Sequence, residues 1–469
     1  MNPYLPTYEY VPDGEPHVFG ERLYVFGSHD RFGGTGFCEN DYVCWSCPVD
    51  DLSAWRYEGV IYRREQDVKN AFFGSTMYAP DVCRGTDGKY YLYYGLNLIP
   101  LTGVAVCDTP AGQYEFYGYV RHKNGKLYGR EKGDGFPFDP AVINDNGRIF
   151  LYTGFSPCNR WLRLGIDSIS RSKGAKGCKV LELAPDMKTI VSSKWLIPGT
   201  DNSEGTGFEG HEFYEASSIR KFGDRYIFVY SSVLSHELCW AYGKYPDKDF
   251  SFGGVLYSNC DLGLDGNTVP RNYWGNNHGG VERINGEYYV FGHRHTNYRE
   301  CNRQGIAEKL GTDADGNFLQ AEVTSMGPAA VPLGKGRYEA GICCNLYSSR
   351  GVLKSTFFRN KKLMAEHPCI RQDGIDREDN PKMYIHNMTD GSVAGFKYFA
   401  CEDFVFSLEA TGSGKIEVSF TDDFSETAGV ISLSQPDKSC RLSPPDRVFA
   451  LYLRYSGEDS ADIYEISLE

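Results

Sequence analysis

A hairpin that recurs five times in the first three hundred residues constrains this chain more than anything else in it. Each copy has a polar residue, a short apolar strand, a glycine turn and an aromatic strand. The aromatic strands are ERLYVFGS (21–28), GKYYLYYG (88–95), GRIFLYTG (147–154), DRYIFVYS (224–231) and GEYYVFGH (286–293). The turn glycines Gly20, Gly88, Gly147, Gly223 and Gly286 lie 68, 59, 76 and 63 residues apart. Strand-built repeats of this period point to sheets set radially about an axis. Seven or eight residues before each glycine stands one ionisable or metal-binding side chain: Asp13, Asp81, Asp139, Glu215 and His278. In a radial repeat these positions begin the innermost strands and converge on one end of the axis.

The expected architecture is all-β, with residues 1–332 as a five-bladed β-propeller and 333–469 as a β-sandwich. The repeat has stopped by about Pro332. Beyond Gly341 come short strands with turns, read at 351–358, 382–387, 395–400, 415–420, 448–453 and 461–468. Thirty-four Tyr, 28 Phe and 53 Gly suit such a chain, because large rings fill pleated, half-buried surfaces. Residues 166–201 read as irregular, and no long amphipathic helix is predicted.

Net charge is −13, with no Lys/Arg run of the kind that tracks a nucleic-acid backbone. No apolar run approaches the ~20 residues needed to span a bilayer. The start, MNPYLPTYEY, has neither a basic n-region nor an apolar h-region, so a cytoplasmic location is expected. The 15 cysteines sit mostly in apolar strands and read as reduced, buried small hydrophobes. Cys44 and Cys47 form a lone CxxC, which is weak as a metal signal.

With 62 Asp and Glu, no single carboxylate is informative. Registration of Asp13, Asp139 and Glu215 at one level is. Burial raises the proton affinity of such groups, and mutual repulsion separates their titrations. Glycoside hydrolysis needs that division, with one carboxyl protonated and another ionised. Tyr78, Phe138, Trp274, Phe32, Phe37 and Tyr214 offer flat apolar faces for sugar rings. His29 is a candidate sugar hydrogen-bonder. His278, in Asn276-Asn277-His278-Gly279-Gly280, is a candidate metal ligand or carboxylate orienter, and His293 and His295 close the fifth aromatic strand.

Several segments together resemble glycoside hydrolase family 43. They are Asn2-Pro3-Tyr4-Leu5-Pro6, Asp13-Gly14-Glu15-Pro16, Tyr78-Ala79-Pro80-Asp81, Phe138-Asp139-Pro140, Tyr214-Glu215-Ala216-Ser217-Ser218 and Asn277-His278-Gly279. The resemblance implies a five-bladed propeller that inverts the anomeric centre, acting on α-L-arabinofuranosyl or β-D-xylosyl linkages. It implies Asp13 as general base, Glu215 as general acid, and Asp139 as the residue that orients the acid and raises its pKa. His278 would be the axial histidine that holds a structural calcium ion in many members, and Asp81 a substrate-binding residue. No cofactor is needed for the chemistry. The first motif departs from the family's Asp-Pro: counting back from the turn selects Asp13, and aligning on the proline selects Glu15. Asp13 is preferred because the strand after it then needs no gap. The expected substrate is an oligosaccharide from hemicellulose carrying terminal α-L-arabinofuranosyl residues. A β-xylosidase or xylan-acting endo-enzyme is the alternative, and a non-catalytic sugar-binding propeller the alternative of another class. The C-terminal domain is expected to brace the propeller.

Overall fold

The computed structural model describes residues 1–469 apart from 71–73, 98, 170, 172, 357–360 and 378–380. The N-terminal part consists of five antiparallel sheets. The first pairs Glu15–Phe19, Arg22–Phe26, Tyr42–Pro48 and Arg56–Tyr62, in chain order. The second holds Met77–Arg84, Tyr90–Leu96, Ile99–Cys107 and Glu115–Tyr119. The third holds Ala141–Asp145, Arg148–Thr153, Gly177–Leu183 and Ile190–Pro198. The fourth holds Phe213–Phe222, Arg225–Ser232, Glu237–Gly243 and Ser251–Ser258. The fifth has three strands, Val281–Ile284, Glu287–His295 and Arg303–Leu310.

Short turns are why each sheet is a meander. Gly20 (φ 66°) and Gly223 (φ 65°) occupy the left-handed region that a two-residue hairpin loop demands. The first hairpin loops of the first, third, fourth and fifth sheets have two residues each, joining Phe19 to Arg22, Asp145 to Arg148, Phe222 to Arg225 and Ile284 to Glu287. The second sheet differs: Arg84 pairs with Tyr90, which leaves a five-residue loop, 85–89.

The aromatic strands are the second strands of their sheets, and those of the second, third and fourth sheets bury central side chains on both faces. Tyr93, Tyr94, Phe150, Tyr152, Phe228 and Tyr230 have no exposed surface. Phe150 and Tyr152 of the third sheet share one apolar cluster with Phe213, Phe228 and Tyr230 of the fourth. The first strands of successive sheets are neighbours, and that of the fifth returns to that of the first. This is consistent with a β-propeller. The N-terminal segment fastens the return. Gly14 bridges Gly279, the Asn2 side chain donates to the Ala307 and Thr324 carbonyls (both 3.1 Å), and Asn2 N–H donates to Ser325 O (3.0 Å).

Two further sheets follow. One contains Cys369–Gln372, Met383–Met388, Ala461–Leu468, Phe404–Thr411 and Ser439–Leu442, with Gly336–Glu339 paired to Ala461–Leu468. The other contains Asn345–Tyr347, Val393–Phe399, Phe449–Ser456, Lys415–Ser419 and Gly429–Ser432. They bury a common core in which Ile385, Ile463 and Ile466 of one meet Phe396, Leu451 and Leu453 of the other.

Two expectations are corrected here. Residues 166–201 are not irregular: they hold the end of a helix, Arg160–Ile169, and the two outer strands of the third sheet. The helix interrupts the meander, so the strands beyond it lose the repeat spacing that would have marked them. The described part of 351–358 is no strand of the C-terminal sheets. It crosses back to the N-terminal part, where Ser355 N–H donates to Trp274 O (2.7 Å).

Candidate active site

Hairpin register sets which side chains meet at the axis. Asp13, Tyr78, Asp139 and His278 each stand six residues before the last residue of a first strand, namely Phe19, Arg84, Asp145 and Ile284. Glu215 stands seven before Phe222, and a bulge in its strand between Glu215 and Ser218 absorbs the extra residue. All five line one narrow cavity of about 60 Å³, together with Phe37, Cys38, Phe138, Asn276, Asn277, His293 and Arg303. Backbone conformation is unusual at this level. Asp13 (φ 57°), Asp139 (φ 45°), Ala79 beside Tyr78 (φ 32°) and Ala216 beside Glu215 (φ 68°) all have positive φ without being glycine. Such strain, of order 1–3 kcal/mol per residue, persists where the surroundings hold the chain for a purpose.

The three carboxylates titrate apart, each for a visible reason. Burial works to raise Asp13, but Arg303 Nη1, donating to its Oδ1 at 2.9 Å, and His293 Nδ1, 3.3 Å from the same oxygen, outweigh it. Asp13 is therefore held well below the usual carboxylate range. Arg303 is itself fixed by a fork onto Asp30, with Nε to Oδ2 at 2.9 Å and Nη2 to Oδ1 at 3.0 Å. Glu215, half-buried in the cavity wall, is pushed up to about 8 by burial and then by the Asp13 charge. Asp139 is raised by burial and then by the charge of Glu215, and its Oδ2 accepts the Ala216 N–H at 3.0 Å. The Asp139–Glu215 pair thus keeps a proton at neutral pH beside an ionised Asp13. His278, pushed down to about 4 mainly by burial, is neutral, with Nδ1 3.5 Å from Asp139 Oδ2.

Aromatic rings wall the cavity. Tyr78 packs edge-on to Phe138 (5.7 Å) and to Phe37 (6.3 Å), and the Arg303 guanidinium lies 4.7 Å from the centre of the Phe37 ring. Glu15, the alternative to Asp13, is one layer lower. It is buried, its Oε2 accepts from Ser218 Oγ (2.9 Å) and Arg220 Nη2 (3.0 Å), and it does not line the cavity.

Five residues expected to touch substrate lie outside the cavity lining; one of them, Tyr214, packs edge-on to Phe155 (5.4 Å). Asp81 has no exposed surface, and its oxygens accept from Val82 N–H (2.8 Å) and Val142 N–H (2.7 Å), with His17 Nε2 at 2.6 Å. It ties the second sheet to the first and third. The five-residue loop puts Tyr78, not Asp81, at the cavity level. His29 is buried between Glu9 (3.1 Å) and the Asp41 carbonyl (2.8 Å). Trp274 packs against His236 (5.7 Å) and Lys354 (4.8 Å), outside the cavity lining. Phe32 faces a different cavity. Arg303 and Cys38, by contrast, carry no signal in the sequence, and His293, at the end of the fifth aromatic strand, lines the site. Replacing Asp81 by Ala orphans two buried N–H groups and is expected to cost about 2–4 kcal/mol in urea unfolding, with KM little changed.

Among the described residues, the side chains near His278 do not by themselves supply the six to eight oxygens that calcium takes, waters included. Both ring nitrogens face carboxylates, and the second, Nε2, lies 3.8 Å from Glu15 Oε1, a buried oxygen with no hydrogen-bond partner. Just below, Glu15, His17 and Asp81 place donor atoms within 4.8 Å of one another. Arg220 is already there as the cation, its Nη2 3.0 Å from Glu15 and 3.3 Å from His17.

Carboxylates of separated proton affinity in an aromatic-walled cavity are the parts that acid–base catalysis uses. The comparisons agree with that chemistry. The model of glycosyl hydrolases family 43 matches residues 18–318, beginning just after Asp13. A xylosidase/arabinosidase of Thermoclostridium stercorarium is 47% identical over 490 residues, covering 100% of this chain and 98% of the relative. A xylosidase/arabinosidase of Bacteroides ovatus is 29% identical over 314 residues, covering 62% of this chain and 87% of its own. In fold, the chain is similar to a family 43 arabinoxylan arabinofuranohydrolase from Bacillus subtilis, with a TM-score of 0.51 at 17% identity over 100% of this chain and 97% of that one. The chain belongs to glycosyl hydrolases family 43 and is a glycosidase.

Proposed function

We propose that the protein is an exo-acting, inverting pentosidase that removes terminal α-L-arabinofuranosyl residues from hemicellulose-derived oligosaccharides. Asp13 is the general base and Glu215 the general acid. The observation that carries this reading is the division of proton affinity within one cavity: Asp13 held ionised by Arg303, Glu215 held protonated by burial and by Asp13. In a single displacement, Asp13 takes a proton from water as that water attacks the anomeric carbon. Glu215 delivers its proton to the departing glycosidic oxygen. Asp139, anchored on the Ala216 N–H, fixes the strand that carries Glu215. The narrow cavity suits one terminal ring better than a threaded chain. We read the five sheets as a five-bladed propeller carrying this site, and the C-terminal pair as a β-sandwich.

A second reading, β-D-xylosidase activity at the same site, is favoured by the names of the relatives, which join xylosidase and arabinosidase. Assays on the 4-nitrophenyl α-L-arabinofuranoside and β-D-xyloside separate the two. Proton NMR of the first-formed sugar is expected to show the anomer opposite to that of the substrate. Binding of both glycosides without turnover would sink the catalytic assignment in favour of a sugar-binding protein.

A further inference from the structure

The end of the fourth sheet at which Glu215 stands carries a second group of ionisable side chains, none of which lines the catalytic cavity. His211 lies two residues before the first strand of that sheet, Ser232 ends the second, and Glu237 and Cys239 belong to the third. Phe213 pairs with Ser232 and Glu215 with Ser231, so the group and the acid share one end of the sheet. His211 Nδ1 is 2.6 Å from Glu237 Oε1, Cys239 Sγ is 3.3 Å from the same oxygen, and the sulfur and the nitrogen are 3.8 Å apart. Ser232 Oγ also donates to Oε1, at 2.5 Å.

Nitrogen, sulfur and carboxylate oxygen are the donor set of zinc rather than of calcium or magnesium. Around zinc, bonds of about 2.0–2.3 Å set neighbouring ligands roughly 3.3–3.6 Å apart. Two of the three separations are already near that, and the His211–Glu237 contact must open by under about 1 Å. The pieces are held in place from outside. The His211 ring stacks on Phe252 (5.0 Å, 18°), its N–H donates to Phe208 O (3.0 Å) and its carbonyl accepts from Tyr230 Oη (2.7 Å). Cys239 has no exposed surface, whereas the His211 side chain is 33% exposed, so an ion can enter on the imidazole side.

Protons hold these donors together, and protons are what a metal displaces. Glu237 favours the imidazolium form of His211. From that form a divalent ion releases two protons to solvent, one from His211 Nδ1 and one from Cys239 Sγ, while Nε2 keeps its own. Two protons out and one divalent ion in leave the charge of a largely buried group unchanged, which avoids the cost of burying a net charge. The trio of Glu15, His17 and Asp81 differs because Arg220 already sits in it. Among the described residues, no Lys or Arg forms an ion pair with Glu237.

We propose that His211, Glu237 and Cys239 form a zinc-binding site separate from the catalytic centre. Three protein ligands leave the fourth position to water. The ion would clasp the segment that leads into the strand of Glu215 to the third strand of the same sheet, and its part is structural.

Cobalt(II) is the probe, because a thiolate ligand gives it a charge-transfer band in the near ultraviolet. Titration into chelator-stripped protein is expected to raise that band to saturation at one ion per chain. One equivalent of Zn²⁺ should then abolish it and raise the melting temperature by about 2–4 °C. Cys239→Ser should remove the band. His211→Gln should weaken binding at least about tenfold, since even outer-shell partners are worth about 10–100-fold in affinity. Melting without metal shows whether each variant folds, and His211→Gln, at a partly exposed position, carries the test if Cys239→Ser does not fold. Absence of the band would overturn the site. So would a band that survives in His211→Gln at unchanged affinity, or one that disappears when the exposed Cys158 is changed to Ser.

Discussion

Glu215→Gln is expected to lower kcat on unactivated pentosides by about 10²–10⁴-fold, because the amide keeps the shape of the acid but has no proton to give. The loss should be smaller on nitrophenyl glycosides, whose leaving oxygen needs little protonation. The pH profile carries the more specific signature. The active form needs Asp13 ionised and Glu215 protonated. Arg303 and His293 hold Asp13 ionised far into the acid range, so acidification to ordinary carboxylate pKa values should cost little activity. Activity should instead fall as the pH rises through about 8, where Glu215 gives up the proton that burial and Asp13 keep on it. In Glu215→Gln the alkaline limb should vanish. A variant that cleaves oligosaccharides at the parent rate, or an unchanged alkaline limb, would remove Glu215 from the role of acid.

Arg303→Met should be the most damaging single change to stability around the cavity. The guanidinium is buried, bonded to Asp13 and forked on Asp30. Removing it strands two buried carboxylates, a loss of about 3–5 kcal/mol. Asp13, freed of its cation, should then follow its burial upward, so that an acid limb enters the measurable pH range. The sign of the stability effect follows from linkage. The folded-state pKa of Asp13 lies below the unfolded value of 3.8. Its stabilisation is therefore fully present above about pH 4 and is lost as the pH falls toward the folded value. The gap in melting temperature between parent and Arg303→Met should narrow on strong acidification. Arg303→Lys restores charge but not the fork and should recover only part of both effects. Equal melting temperatures and superimposable pH profiles would show that Arg303 does not set the state of Asp13.

Much of the site was legible because hairpin geometry is local. A two-residue turn after an apolar strand fixes how far back a side chain must stand to reach the axis. That rule brought Asp13, Asp139, Glu215 and His278 to one cavity, as the structure shows. It failed at Asp81 for a reason equally local: Gly88 belongs to a five-residue loop, so the count began in the wrong place and Tyr78 took the level. His29 and Trp274 were judged by type and neighbourhood, and neither quantity says which way a side chain leaves its strand.

The amino-acid sequence by itself determined five hairpins, an all-β chain and the level at which the acidic side chains gather, since strand alternation and turn length depend on neighbours in the chain. Only the tertiary structure decided that Arg303 reaches Asp13 across 290 residues, that Glu15 lies beneath the cavity, and that the C-terminal sheets share a cavity with the segments walling the site. These are contacts between distant parts of the chain. Packing of whole sheets, which no local spacing encodes, brings them together.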